Sequence, residues 1–302
     1  ERKFWGFFFI HKYNTLYFFT MSDENFINIF KSMYPELKRH LDMTTLRHWS
    51  KKISESKNIL NKYGKKYFSQ NDEDGILLEI LKRLNLKNES FLEIGVGGLR
   101  SNNGTENNTI ILLMLGWKGI WIDSQNINLN LSNKSRLIFN KKHITKNNCR
   151  ETIEKNMKSL NLSKNDIKVI SIDIDGNDFY IIDCLLKEKF EPDCLIVEYN
   201  SKFPPPILYN MPYDENYKWT GYDDQGTSLQ YWEDHLKKYN LKLVCCNITG
   251  SNAFFINKKY LNKFKDIPSN IDKIFYQADY NWFVQTGHKT STKTIEYFAN
   301  KK

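Results

Sequence analysis

Between residues 90 and 257 the chain alternates short apolar runs with helix-length segments. SFLEIGV (90–96), KGIWIDS (118–124), RLIFNKKHI (136–144), VISIDID (169–175) and CLIVEYN (194–200) are rich in branched and aromatic residues, as buried strands are. Strands separated by helices imply right-handed crossovers and a mainly parallel sheet. KLVCCNI (242–248) and NAFFIN (252–257) differ, because only turn residues lie between them. They predict an antiparallel hairpin. Upstream, Phe26, Ile27, Ile29, Phe30, Met33 and Leu37 follow a helical period within residues 23–60. Pro35 is expected to break or restart that helix. A second helix is predicted over 72–84, where Ile76, Leu77, Ile80, Leu81 and Leu84 form one stripe and Asn71 or Asp72 can cap it.

In an open parallel sheet, ligands bind beyond the carboxyl ends of the strands. The first strand ends Glu93-Ile94-Gly95-Val96-Gly97-Gly98, a glycine turn that lets the backbone approach a ligand. Alone, such a turn is weak evidence. The second strand ends at Asp123, placed to accept hydrogen bonds from ribose hydroxyls. Turn and acid together point to an adenosine-type ligand. The fourth strand ends in Asp173 and Asp175, which alternation puts on one side, and the fifth ends in Glu198-Tyr199-Asn200. Asp173, Asp175, Glu198 and Asn200 would then share one cleft. Four oxygen donors can hold Mg²⁺ or a sugar's hydroxyls, and a carboxylate among them can act as a general base. The competing reading makes Asp175 and Asp178 caps of the helix over 176–186. Asp178 is assigned to that reading; Asp173 and Asp175 are assigned to function, since a cap needs only one acid.

Taken in order, SQNDEDGILLEIL (69–81), FLEIGVGG (91–98), ENNTIILLMLGWKGIWID (106–123), SIDIDGNDFYIIDCLL (171–186), LIVEYNSKFPPP (195–206), GTSLQYW (226–232) and GSNAFFI (250–256) resemble the FkbM-like methyltransferases. The resemblance implies a class I S-adenosylmethionine-dependent enzyme of the α/β class. Its core would be a Rossmann-like, seven-stranded, mainly parallel sheet with an antiparallel terminal hairpin, here with an N-terminal helical extension. Many members are O-methyltransferases of sugars and other secondary metabolites. By position, Glu93, Gly95 and Gly97 would lie along the methionine and ribose of S-adenosylmethionine, and Asp123 would bind the ribose. Asp173 and Asp175 would face the reacting end, and Gln70, Glu73 and Asp74 would close over the cofactor. Two departures stand out: the long loop from Leu99 to Asn108, and the lack of an acidic dipeptide after the glycine turn.

The expected division is residues 1–20 as a non-native or disordered segment, 21–66 as a helical extension, 67–266 as the catalytic domain and 267–302 as a C-terminal extension. The very aromatic residues 1–20 show no helical period, and the first methionine is Met21; a membrane-surface anchor is the rival reading. No apolar run reaches the roughly 18 residues that span a bilayer. The net charge of +9 comes mostly from scattered lysines in short runs, which reads as a solvated surface. Cys184, Cys194, Cys245 and Cys246 lie in apolar stretches and read as core thiols, suiting a reducing cytoplasm. His143 and His235 read as structural, His235 on a helix surface. Trp219, Tyr222, Tyr231 and Trp232 read equally as core or as a stacking platform, Pro204 to Pro206 as a pocket rim, and residues 286–292 as a flexible tail. The expected acceptor is a sugar, glycan precursor or related small metabolite. The alternatives are a nucleic-acid methyltransferase and a non-catalytic cofactor-binding module of a larger assembly.

Overall fold

The computed structural model describes residues 23–96, 107–126 and 136–278. The segment 1–20, Gly97 and the 286–292 tail lie outside the described residues. The chain divides into two units between Lys52 and Ile53.

The first unit is carried by helix α1 (Asp23–Glu55), which runs on through Pro35 instead of breaking there. Proline removes one amide donor, and the neighbouring turns continue the helix around that gap. Among its described side chains, Met33, Leu37, Leu41 and Leu46 are exposed.

The second unit opens with a 3-10 turn (Ile59–Tyr63), followed by α2 (Glu73–Leu84), β1 (Ser90–Ile94) and α3 (Ile110–Met114). β2 (Lys118–Asp123), β3 (Leu137–Lys141), α4 (Cys149–Ser159), β4 (Ile167–Ile172), α5 (Asp178–Lys187) and β5 (Cys194–Glu198) follow. The chain continues through α6 (Leu229–Leu236), β6 (Leu241–Cys246) and β7 (Asn252–Asn257). The strands form one seven-stranded sheet in the order β3-β2-β1-β4-β5-β7-β6. β1 to β5 pair in parallel, and β7 is antiparallel to both β5 and β6. This is the Rossmann-like sheet with a terminal hairpin that the alternating pattern predicts.

Alternation along each strand feeds a core on either face of the sheet. Leu92, Ile94, Ile170, Ile172, Leu195 and Val197 pack with Ile153 of α4, Ile182 of α5 and Leu229 of α6. Phe91, Val169, Cys194 and Ile196 pack with Ile76 and Ile80 of α2 and Ile110 of α3. Each of these aliphatic side chains is almost fully buried, worth about 1.5–3 kcal/mol apiece before conformational entropy is subtracted. The opening turn is stitched to the sheet edge: the Asn58 and Asn61 amides donate to the carbonyls of Val244 and Cys246 at 2.7 and 2.8 Å. All five cysteines are free, and the Cys149 and Cys184 thiols meet between α4 and α5. Cys149 thus joins the buried thiols, whereas Cys184 is only half-buried.

Among the described residues, no helix is long and apolar enough to cross a membrane.

Candidate active site

Topology sets the site, because the sheet order reverses between β1 and β4. The exits of β2, β1 and β4 are tied together by backbone bonds. Gly95 donates to the Ile122 carbonyl at 2.9 Å, and Asp173 donates to the Ile94 carbonyl at 3.0 Å. Gly95 has φ of +81°, and a Cβ there would fall 1.6 Å from the Asp173 carbonyl oxygen. Glycine is therefore required on two counts: the left-handed conformation and the close passage of β4.

Asp123 is buried at the end of β2. One carboxylate oxygen accepts from the Val96 amide at 2.9 Å, the other from Gln125 at 2.7 Å. It fixes the glycine turn against the second strand, and each oxygen keeps lone pairs for a further donor. Glu93 looks inward instead. Its carboxylate accepts from the Asn108 amide at 2.8 Å and from the Thr109 hydroxyl, which in turn accepts from the Trp121 indole at 2.8 Å. Burial pushes its carboxyl up to about 7, against the opposing bonds from Thr109, Asn108 and Ser171. In this arrangement Glu93 holds the segment entering α3.

β4 ends at Ile172, so Asp173 and Asp175 sit in the exit turn and not on the strand. The turn brings them together where strand alternation was expected to. Asp175 is left-handed, with φ of +59°. Asp178, the first residue of α5, accepts from the Ile174 and Gly176 amides, each at 2.9 Å. Its carboxylate braces the turn, and burial, with a smaller contribution from the charge of Asp175, raises it to about 6.

One oxygen each from Asp173, Asp175 and Glu198 lies within 4.8 Å of the others. Glu198 is pushed well above the ordinary carboxylate range, by burial first and then by the charges of Asp173, Asp178 and Asp175; hydrogen bonding from Gln225 works against this. Oxygen atoms no more than 4.8 Å apart are near enough for one hard cation to draw on all three. The residues therefore fit a divalent cation. Asn200 is directed elsewhere. Its amide donates to the carbonyls of Asp223 and Gln225, both at 2.9 Å, and its oxygen accepts from the Lys202 amide at 3.1 Å.

The lead-in to α2 reaches the same edge of the sheet, because Asn252 pairs with Glu198 in register. Glu73 is fully buried and accepts from the Asn247 and Asn252 amides of the hairpin at 2.7 and 3.1 Å. One oxygen of Asp74 accepts from the Tyr67, Phe68 and Ser69 amides at 2.6–2.8 Å; its other oxygen is buried with no partner. Both acids fold the lead-in, and only Gln70 of this trio is exposed.

Residues in the long connection between β5 and α6 escaped the sequence reading. Tyr217 lays its ring over Gly176, where a Cβ would meet it at 2.5 Å. Its buried hydroxyl has no partner, and its pKa is raised by burial first and then by the charges of Asp224, Asp175 and Glu198. Gln225 is 3% exposed, also with an unpartnered oxygen. A cluster of Asp, Gln and Gly (223–226) directly before the motif at 226–232 was the available signal. The aromatic quartet divides: Trp232 is core and donates to the Glu198 carbonyl at 2.9 Å, while Trp219 and Tyr222 are exposed. His235 is not a free surface residue, since it pairs with Asp183 at 3.0 Å.

No family model matches the chain, and no curated protein does. Solved structures do. One is the MycE methyltransferase from the mycinamycin biosynthetic pathway in complex with Mg, SAH and mycinamycin VI: 13% identity, TM-score 0.38, covering 64% of this chain and 50% of that one. The chain thus spans half the length of that protein. A crystal form of the same enzyme with Mg and SAH gives 12% identity and a TM-score of 0.42, covering 87% of this chain and 71% of that one.

Proposed function

We propose that the chain is an S-adenosylmethionine-dependent O-methyltransferase acting on a hydroxyl of a sugar, glycan precursor or related small metabolite. The observation that carries the reading is the juxtaposition at the sheet's switch point: a glycine turn locked to Asp123 on one side and a three-carboxylate cluster on the other. The first suits a nucleoside, and the second suits a hydroxyl that must lose its proton. The sugar preference comes from the sequence resemblance alone.

When bound, S-adenosylmethionine supplies an electrophilic methyl group. The chain's own part is alignment and proton control. Asp123 offers its remaining lone pairs to the ribose hydroxyls. With no cation bound, Glu198 is the strongest candidate for the base, because burial and the neighbouring acids raise its proton affinity. Burial is the largest cause of that rise, and the charges of Asp173, Asp178 and Asp175 add to it. With a cation bound, the three carboxylates act as ligands to it instead. A divalent cation held by Asp173, Asp175 and Glu198 would bring a hydroxyl into contact with the cluster and lower its proton affinity.

The direct test is calorimetry with S-adenosylhomocysteine and NAD. Micromolar binding of S-adenosylhomocysteine, followed by a product 14 Da heavier from a polyol or glycoside panel, supports the reading; the added mass is that of one methylene. Binding of NAD in its place would retain the fold and remove the activity.

A further inference from the structure

We propose that Gln225 supplies a neutral oxygen ligand to the cation at the acid cluster, and that Asn200 is the residue that presents it. This rests on the cation reading given above. The sequence places an amide at this site by counting along β5; the structure places a different one there, from the connection that follows.

Gln225 is almost completely buried, yet its side-chain oxygen accepts no hydrogen bond. Buried polar atoms without partners are few in folded proteins, and each calls for an explanation. An amide oxygen carries no proton, so its missing partner is a donor or a cation. The Gln225 side chain lies near enough to Glu198 to lower that residue's proton affinity, and its backbone carbonyl is held by Asn200, two residues beyond Glu198, at the same end of β5 as the cluster.

The presentation is rigid. Asn200 donates to the backbone carbonyls of Asp223 and Gln225, each at 2.9 Å. Its own amide donates to the Thr227 carbonyl at 2.8 Å, and Met211 donates to the Gly226 carbonyl at 3.0 Å. Residues 223–227 are therefore fixed to the end of β5, two positions beyond Glu198. The chemistry of the donor set agrees. Hard cations take carboxylate and amide oxygens together. A fourth carboxylate would add charge to a crowded cluster, whereas an amide adds coordination without it. A hydroxyl donor would satisfy Gln225 alone; a cation accounts for Gln225 and the three carboxylates together.

The test is calorimetric titration of the full chain with Mn²⁺ after chelator treatment, with S-adenosylhomocysteine titrated separately without metal. Gln225→Leu should weaken Mn²⁺ at least tenfold and leave S-adenosylhomocysteine within twofold of wild type. Gln225→Asn keeps the amide but withdraws it, and should also weaken Mn²⁺; it decides the matter if the leucine variant fails to fold. Mn²⁺ affinity within twofold of wild type in the variant that folds would overturn the proposal. So would a wild-type chain that does not bind Mn²⁺. Failure to bind S-adenosylhomocysteine is a separate readout, which would instead count against the methyltransferase reading.

Discussion

Replacing Glu93 with glutamine should alter how stability depends on pH. Glu93 is 1% exposed, and its carboxyl is raised from 4.5 to about 7, burial being the largest cause. The folded chain therefore keeps this proton over a range where the unfolded chain releases it. Its contribution is fully present below pH 4.5 and is lost as pH rises through about 7. The whole loss is the difference between about 7 and 4.5 at about 1.4 kcal/mol per pH unit, on the order of 3 kcal/mol. Between pH 5 and pH 8 it amounts to about 2–3 kcal/mol, somewhat less than the whole, because the unfolded carboxyl is already partly ionised at pH 5. Glutamine keeps the volume and carries no titrating proton. It turns an N–H₂ toward Thr109 or Asn108, which sets a constant offset and no slope. Asp178 and Glu198 are also raised, but they titrate in both proteins and cancel in the difference. Urea melts at pH 5, 6, 7 and 8, followed by tryptophan fluorescence, should show the variant gaining on wild type by about 2–3 kcal/mol across that range. Parallel stability curves for the two proteins would refute the reasoning and place Glu93 in contact with solvent or with a cation.

Gly95→Ala should reduce stability by several kcal/mol in urea melts, since its Cβ would strike the Asp173 carbonyl and its φ is positive; near-wild-type stability would show that the two exits are not locked. Asp123→Asn should weaken S-adenosylhomocysteine by about tenfold to a hundredfold, the worth of a hydrogen bond to a charged group, as read by calorimetry. Asp173→Asn should leave that affinity nearly intact. Loss of the group that takes the proton costs about 10²–10⁴-fold in turnover, so Glu198→Gln is expected to lie in that range. Full turnover in Asp173→Asn, Asp175→Asn and Glu198→Gln together would leave these acids as braces of the turn. Chelator should abolish turnover and Mg²⁺ restore it if the cluster acts through a cation; chelator-resistant turnover leaves Glu198 acting as a base alone.

The sheet was legible because its signal is local and repeated. Each strand carries its own branched and aromatic run, and VISIDID and CLIVEYN need no knowledge of their neighbours. The carboxylate cluster was legible for a reason only partly correct. Asp173 and Asp175 were assigned to a strand, but the strand stops at Ile172, and a left-handed residue braced by Asp178 does the converging. The family resemblance placed Glu73 and Asp74 over the cofactor, yet their bonds go to the hairpin and to the backbone of residues 67–69, partners that spacing along the chain does not reveal. Tyr217 and Gln225 were missed because their position depends on how a 30-residue connection folds back, and no periodicity encodes that. Pro35 misled because proline weakens a helix without necessarily ending it.

The contact between Gly95 and the Asp173 carbonyl has a consequence for how this molecule can change over time. The glycine turn and the acid turn meet at this contact, so neither can drift without moving the other. Under the proposed function, novelty in acceptor choice would be channelled into the stretch between β5 and α6, residues 199–228, at positions outside its buried cluster of Phe203, Tyr209 and Met211. Laboratory libraries aimed at new acceptors should be confined to that stretch, with Asn200 and residues 223–227 kept constant. Libraries that include residues 94–96 or 173–178 should yield mostly unfolded clones.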